Sequence, residues 1–574
     1  MAYLGIQVSD APEKEEDISL RGGADVASSQ SRDIADKKNE AQTTVDVVSD
    51  ASVSSKTPSG GPVPETPNTC EERKMPKSKI AVIMTALCVI NFVSIKDYMC
   101  SAYLLAAAAA APTWGKVSDI FGRKPVLLAA NLVFLSGSLI CGISINIKML
   151  IAGRAVQGVG GGGLLSLVNI CISDLFSMRS RSIYFGIIGV AWAVAGAVGP
   201  VIGVPVDGVA FVIILFFLEV HNPKTPLLAG LRAIDWLGSL TVIGGTVMFL
   251  LGLEYGDVSF PWSSPTVICL IVFGIFSFAL FLLIQWKLAY YPIMPLWLFA
   301  RRSTVAAYGT TFVHGFLHTS GSYFLPLYFQ IVLGASPFQS GIYLFPLVLS
   351  VSFVSVFTGY FIRKTGLCLP PIWVGMASLV LGHGLFIDLP AHMSWVRIVI
   401  YQIFAGIGSG PNFQAPLIAL QSHLKPSDIA TATATLAFVR NMANSISVVL
   451  GGVIFQNRMK VNIGKLSSIL PPETIKALEG HSAGASTDIV KALSDKERTL
   501  VLGAYNQSLK VMWIFYTSVA AIGFCVSLLI GRRNLSKEHE VTKTGLEVQE
   551  RERQERLQRE KEKQGHETTK DLER

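Results

Sequence analysis

Between residues 80 and 531 the chain is a nearly continuous series of apolar runs about 20 residues long, separated by short loops that hold the charge. A run of that length forms a helix of about 30 Å, enough to cross the hydrocarbon of a bilayer. There a backbone survives only if its N–H and C=O groups pair within the segment. The recurrence dictates an all-α, multi-pass membrane protein. Composition agrees: 51% of the 574 residues are hydrophobic and 15% charged, with mean hydropathy +0.48, a balance foreign to soluble proteins.

The expected spans are 80–95, 98–114, 125–145, 149–172, 183–203, 206–218, 234–253, 265–285, 304–331, 341–361, 368–387, 395–418, 429–455 and 509–530, fourteen in all. The net charge of +8 does not point to nucleic acid, because Lys and Arg collect at span ends. With both termini inside, thirteen basic residues fall in inner loops and three (Lys96, Lys148, Arg397) in short outer ones. That is the bias the positive-inside rule predicts. Residues 1–78 are polar, without an apolar signal core, and read as a disordered cytosolic tail; 532–574 read as a charged cytosolic tail. Eight cysteines show neither metal-ligand spacing nor a disulfide pattern, and no enzyme signature or metal site is expected.

The inner charges also measure hairpin length. Lys124 and Arg179 enclose 54 residues, as do Arg232 and Lys287, while Arg302 to Arg363 and Lys364 to Lys425 each enclose 60. Lys79 to Lys116 encloses only 36 and Arg181 to Glu219 only 37. Two crossings need about 40 residues before any turn, so both hairpins are short.

Several motifs carry more than hydropathy. GKVSDIFGRK places Gly115, Asp119, Gly122, Arg123 and Lys124 in the loop after the second span, where Asp119 can cap a helix or pair with Arg123 or Lys124. Arg154, about one turn into an apolar span, is costly there unless it meets a cavity, a partner or the interface. Gln157 follows one turn later, beside a glycine run from Gly158 to Gly163 that fits close helix packing. In AVAGAVGPVIG, Gly196, Gly199, Pro200 and Gly203 combine small residues with a helix-bending proline. Inside the second half lie Tyr323, Gln330, Asn412, Gln414, Arg440, Asn441 and Asn444, candidates for a polar cavity or for bonds between helices. His314 and His318 share a helix face, but a histidine pair without a carboxylate is slight evidence for a proton relay. Asn506 begins an N-x-S sequon in the expected outer loop 456–508, a possible glycosylation acceptor.

The order G-x-x-x-D-x-x-G-R-K from Gly115 resembles the inner-loop signature of the major facilitator superfamily. DWLG at 235–238, YYPIMPLWLFARRS at 290–303, GIGSGPNFQAPLIALQ at 406–421 and FVRNMANSISVVLGGVIFQN at 438–457 resemble its fungal fourteen-span drug:proton antiporters. The resemblance implies a major facilitator fold: two six-helix halves, 79–218 and 304–531, joined by 219–303 with two extra central helices. It implies that the 115–124 motif latches the outward-open state, that Arg154 and Gln157 serve proton coupling, and that the Gly196–Gly203 run marks an exporter. The implied activity is efflux of small amphipathic compounds by a monomer in the plasma membrane or, alternatively, the vacuolar membrane. It would be driven by the proton gradient, without a cofactor, with protons, a small-molecule substrate and the lipid bilayer as its only partners. Import of siderophores or basic amino acids, and a nontransporting product, are the alternatives. The sequence departs from that family twice: the first-helix run resembling LDxTIVxxALP is missing, and near residue 204 the fifth helix passes directly into the latter part of the sixth. Both departures fall in the short hairpins, so helices 1–2 and 5–6 are expected to be truncated.

Overall fold

The computed structural model describes residues 101–218, 223, 225–256, 260–466, 493–538, 545–551, 553–555, 558 and 562, with only the backbone path for 101, 192–210, 217 and 495. These residues belong to the unit running from Lys74 to Arg574. The tail 1–78 and the expected first span 80–95 lie outside the described residues.

The long helices are α1 (Ser101–Phe121), α2 (Arg123–Gly142), α3 (Ile147–Leu175) and α4 (Met178–Phe217), then, after the short α5 (Leu227–Ala233), α6 (Trp236–Tyr255) and α7 (Pro265–Lys287). A second series follows: α8 (Arg302–Ile331), α9 (Pro337–Tyr343), α10 (Phe345–Thr365), α11 (Leu369–Phe386), α12 (Trp395–Asn412), α13 (Ala415–Ser422), α14 (Ile429–Gly464) and α15 (Asp495–Ser527). Eight stretches among the described residues are long and apolar enough to cross a membrane.

Within the first half, α3 packs against both α1 and α2, and its glycine run explains how. A Cβ on Gly158 or Gly162 would meet the α1 backbone at Tyr103 or Ala107, whereas one on Gly160 would meet the α2 backbone at Ala130 and Phe134. Glycines at i and i+4 thus admit one neighbour and the glycine between them admits the other. In the second half α8, α14 and α15 pack together, as do α11 and α12. Two seams join the halves, α1 against α14 and α4 against α10. The inserted pair α6 and α7 packs on itself around Val242, Phe281 and Met294. Asp235 of the DWLG motif fixes its entry, accepting from Gly238 N at 2.8 Å and from Gln285 Nε2 at 2.6 Å.

Four sequence expectations change. The spans 183–203 and 206–218 are one unbroken helical path, α4, rather than a compressed hairpin. A two-residue connection would leave the ends of both helices with unpaired backbone groups in hydrocarbon, and continuing the helix pairs them. The span 395–418 is broken at Phe413 and Gln414, between Pro411 inside α12 and Pro416 in the first turn of α13. The motif expected as a loop is largely helical, since α1 runs through Gly115 and Asp119 to Phe121 and only Gly122 interrupts it. The outer loop expected at 456–508 is shortened from both sides by α14 and α15. Asn506 consequently sits inside α15 at 9% exposure, with Ser508 fully buried and bonded to Ala504 O and Asn462 Nδ2. A sequon needs an accessible loop, so Asn506 is not placed as an acceptor.

The glycine fit predicts a position-specific cost. Gly160→Ala forces α2 and α3 apart and should destabilise the protein by about 1–3 kcal/mol. Gly452→Ala, a helical position with nothing within 4 Å of the added carbon, should be neutral or stabilise by up to about 1 kcal/mol. Thermal unfolding of the detergent-solubilised variants checks both.

Candidate functional site

At the end of the bundle where Lys116, Arg123, Lys124, Arg179 and Arg181 gather, the chain buries charge. Gly122 has φ 93° and ψ 161°, a left-handed backbone that suits glycine and turns α1 into α2 within one residue. The turn carries the Arg123 guanidinium inward, where it is 1% exposed. Its Nη1 donates to Asp119 Oδ1 at 2.6 Å and Ser118 Oγ at 2.7 Å, and its Nε donates to Asp174 Oδ2 at 2.8 Å from the last turn of α3. Two carboxylates and a serine thus surround one cation, the arrangement that makes a buried charge tolerable. Asp119 pairs and does not cap; the N-cap of α2 is Gly122 itself.

This cluster is tied to the other half. Thr431 Oγ1 of α14 donates to Asp119 Oδ2 at 3.1 Å, and Gly115 lies so close to Ala434 that an added Cβ would collide with it. A second tie is buried nearby. Arg181 Nη1 donates to Gln421 Oε1 of α13 at 2.7 Å and Nη2 to Ser173 O at 2.8 Å, while Gln421 Nε2 reaches Ser173 Oγ at 2.8 Å and Thr433 Oγ1 at 3.1 Å. Along the other seam, Ser182 Oγ donates to Gly359 O at 2.9 Å. The basic end is therefore closed by bonds between polar side chains and backbone as well as by apolar packing.

The C-terminal segment adds a third layer. Gly545 N donates to Asp119 O at 3.0 Å, Tyr291 Oη donates to Glu550 Oε2 at 2.7 Å, and the Arg553 guanidinium lies 3.4 Å from the centre of the Tyr290 ring. Lys116 stands 5.7 Å over the Tyr291 ring. Residues 545–551, expected within a charged cytosolic tail, are thereby seated on the Gly115–Lys124 motif and the chain leaving α7. The Tyr291 hydrogen bond holds the Glu550 carboxyl below its ordinary range.

Arg154 is half-buried in the second turn of α3, donating to Gln157 Oε1 at 3.0 Å, and Gln157 Nε2 donates to Ser138 Oγ of α2 at 2.8 Å. Arg154 and Asp174 are 20 residues apart on one helix, about 30 Å. The structure therefore does not bring the two predicted groups together; α3 spans the distance between them. Gly196, Gly199, Pro200 and Gly203 fall on the α4 path where side chains are not described. Lys124 is half-buried beside the cluster.

The seven cavity candidates divide. Asn412, Gln414, Asn441 and Asn444 are buried, and Arg440 Nη2 donates to Phe413 O at 2.6 Å, the carbonyl freed by the α12–α13 break. Tyr323 is 43% exposed, its ring edge-on to Phe324. Gln330 makes a bond between helices, donating to Ser340 Oγ of α9 at 3.4 Å near the far end of α8. Sequence reasoning missed Asp174, Arg181, Gln421 and Thr431. Asp174 had a signal, a carboxylate at the end of the apolar run NICIS; Gln421 and Thr431 had none, because their partners lie hundreds of residues away.

A family model described as the Major Facilitator Superfamily matches residues 89–451. The efflux pump dotC of Dothistroma septosporum strain NZE10 is 48% identical to the chain, over 83% of the chain and 88% of the relative. The MFS-type transporter ppz2 of Metarhizium majus is 43% identical over 84% and 90%. The efflux pump FUS6 of Gibberella moniliformis is 33% identical over 78% and 82%. The dotC alignment runs over 512 positions yet takes in 83% of 574 residues, about 476, so about 36 positions of the relative face gaps in this chain.

Removing the cation from the cluster should cost more than removing its neighbour. Arg123→Ala leaves Asp119 and Asp174 buried together and should destabilise by about 3–5 kcal/mol. Thr431→Val loses one hydrogen bond to a charged group and should cost about 1.5–3 kcal/mol. Both are read by thermal unfolding. Because its bond depresses the Glu550 pKa, the docking of the C-terminal segment is fully present above the ordinary glutamate range and is lost as pH falls through the lowered value. Glu550→Gln should speed amide hydrogen exchange in 545–551 at neutral pH and leave little further change on acidification.

Proposed function

The chain belongs to the Major Facilitator Superfamily, a multi-pass membrane transporter and not an enzyme, and from that premise we propose that it is a proton-coupled exporter of small amphipathic compounds. The observation that carries the reading is the buried Arg123–Asp119–Asp174 cluster bonded across the seam to Thr431. With the Arg181–Gln421 tie it holds one end of a two-half bundle shut, and parting α1 from α14 breaks its bond to Thr431. Similarity to relatives named efflux pumps supports the outward direction.

In this reading the transport cycle alternates between the closed basic end and its opposite. The Gly115–Lys124 motif, with Asp174, latches the cytosolic side. Arg154, held by Gln157 and Ser138 on the same helix that ends in Asp174, senses the proton-loaded state at the opposite end, and α3 transmits it as a rigid element. The compound sits between the halves near Gln414, Arg440, Asn441 and Asn444. The Gly196–Gly203 run favours efflux, from the plasma membrane or, alternatively, the vacuolar membrane.

A second reading is favoured by one observation. About 36 alignment positions of dotC have no counterpart here, the scale left by two shortened hairpins, and α4 runs through where one of them would turn. Such a chain could insert in the membrane without transporting.

One experiment separates the two. The full chain is expressed in yeast lacking its own drug exporters, and retention of amphipathic dyes is followed with and without a protonophore. The exporter reading predicts lower retention that the protonophore abolishes, and loss of that protonophore sensitivity in Arg154→Ala. A surface-localised chain that changes retention of no compound supports the nontransporting reading.

A further inference from the structure

The break between α12 and α13 gathers polar groups from α8 and α14. Phe413, buried at the break, presents its ring edge-on to His314 at 5.0 Å and to His318 at 4.9 Å, both on α8. The Arg440 guanidinium from α14 stands 5.6 Å over the same ring. Gly315 lets α14 approach there, since a Cβ on it would lie 2.9 Å from Asn444 Oδ1.

His314 is 1% exposed, and His318 Nδ1 and Gln414 Oε1 are buried without a hydrogen-bond partner among the described residues. A histidine with a purely structural role looks different in this protein: the ring nitrogens of His383 lie 3.1 Å from Leu379 O and 3.2 Å from Leu317 O. Leaving a buried donor or acceptor without a partner costs about 1–3 kcal/mol each, and native structures tolerate this chiefly where something else completes the bonds. The charge inventory says what completes them. Helices α8 to α14 contain no Asp or Glu, so the elements enclosing the break contribute Arg440 and two imidazoles and no carboxylate. In a low-dielectric interior such a set favours an anion.

We propose that His314, His318, Phe413, Gln414 and Arg440 form the recognition point for an anionic oxygen group on an aromatic compound that also bears a hydroxyl. The imidazole N–H groups and the guanidinium donate to the anion, the hydroxyl donates to Gln414 Oε1, and the apolar ring of the compound packs on Phe413. This rests on the exporter reading and narrows its substrates from amphipathic compounds in general to acidic ones. Neutral and cationic amphiphiles of the same size keep the packing on Phe413 and gain nothing from the imidazoles and Arg440.

The test uses the full chain in detergent with 6-hydroxy-2-naphthoate as probe, beside its methyl ester and 2-naphthylmethylammonium, each titrated by calorimetry. The acid is expected to bind at least tenfold more tightly than the ester and the amine. Arg440→Gln and, separately, His318→Gln are expected to remove that preference, lowering acid affinity to that of the ester, while thermal unfolding of each variant reports an intact fold. Equal affinity for acid and ester, or a preference that survives in both variants, overturns the proposal. Efflux of the same compounds from proteoliposomes keeps the two readings apart. Movement of the ester or amine without the acid upholds an exporter and overturns acidic recognition. Arg440-dependent binding of the acid with no movement of any compound upholds recognition and removes the exporter.

Discussion

One guanidinium organises the basic end of this protein. Arg123 is withdrawn from solvent because Gly122 turns the chain between two helices in a single residue, and its burial is tolerable only because Asp119 and Asp174 come from different helices to meet it. Three helices of the first half are thereby fixed to one another by a charge, at the place where Thr431 and Ala434 of α14 are pressed against them. The Arg181–Gln421 contact and the seated C-terminal segment elaborate that closure. None of them carries as much buried charge.

The same physics divides the two halves. In the first half the buried Arg123 meets two carboxylates, and the result is structural. In the second half Arg440 leans on a backbone carbonyl and a phenyl ring, and the imidazoles beside it meet no carboxylate from helices α8 to α14. A bundle built to alternate needs one set of charges that is satisfied when an end is shut and another that a passenger must satisfy. The placement of these two sets, at the basic end and at the α12–α13 break, fits that division.

What was legible in the sequence follows from which forces are local. Helix existence was legible because hydrocarbon imposes a length and forbids unpaired backbone. The glycine run of α3 was legible as packing because small residues in an apolar helix have little other use. The Arg123–Asp119 pair was legible because its partners are four residues apart. Gln421 and Thr431 were not, because no local pattern marks a residue whose partner arrives from another helix. The ends of α1, α14 and α15 were misjudged since hydropathy falls at the bilayer surface while a helix, held by its own hydrogen bonds, continues beyond it.

The central claim is that the closed basic end is one state of an alternating pair, released by separating α1–α2 from α13–α14. Spin labels at Lys124→Cys and Lys425→Cys, in a chain whose native cysteines are replaced, measure that separation by pulsed dipolar spectroscopy in lipid nanodiscs. The account predicts a short distance population that gives way to a longer one when Arg123 is replaced by alanine, with both populations present and shifting with pH in the chain that retains Arg123. A single distance, unchanged by pH and by the loss of Arg123, would contradict it.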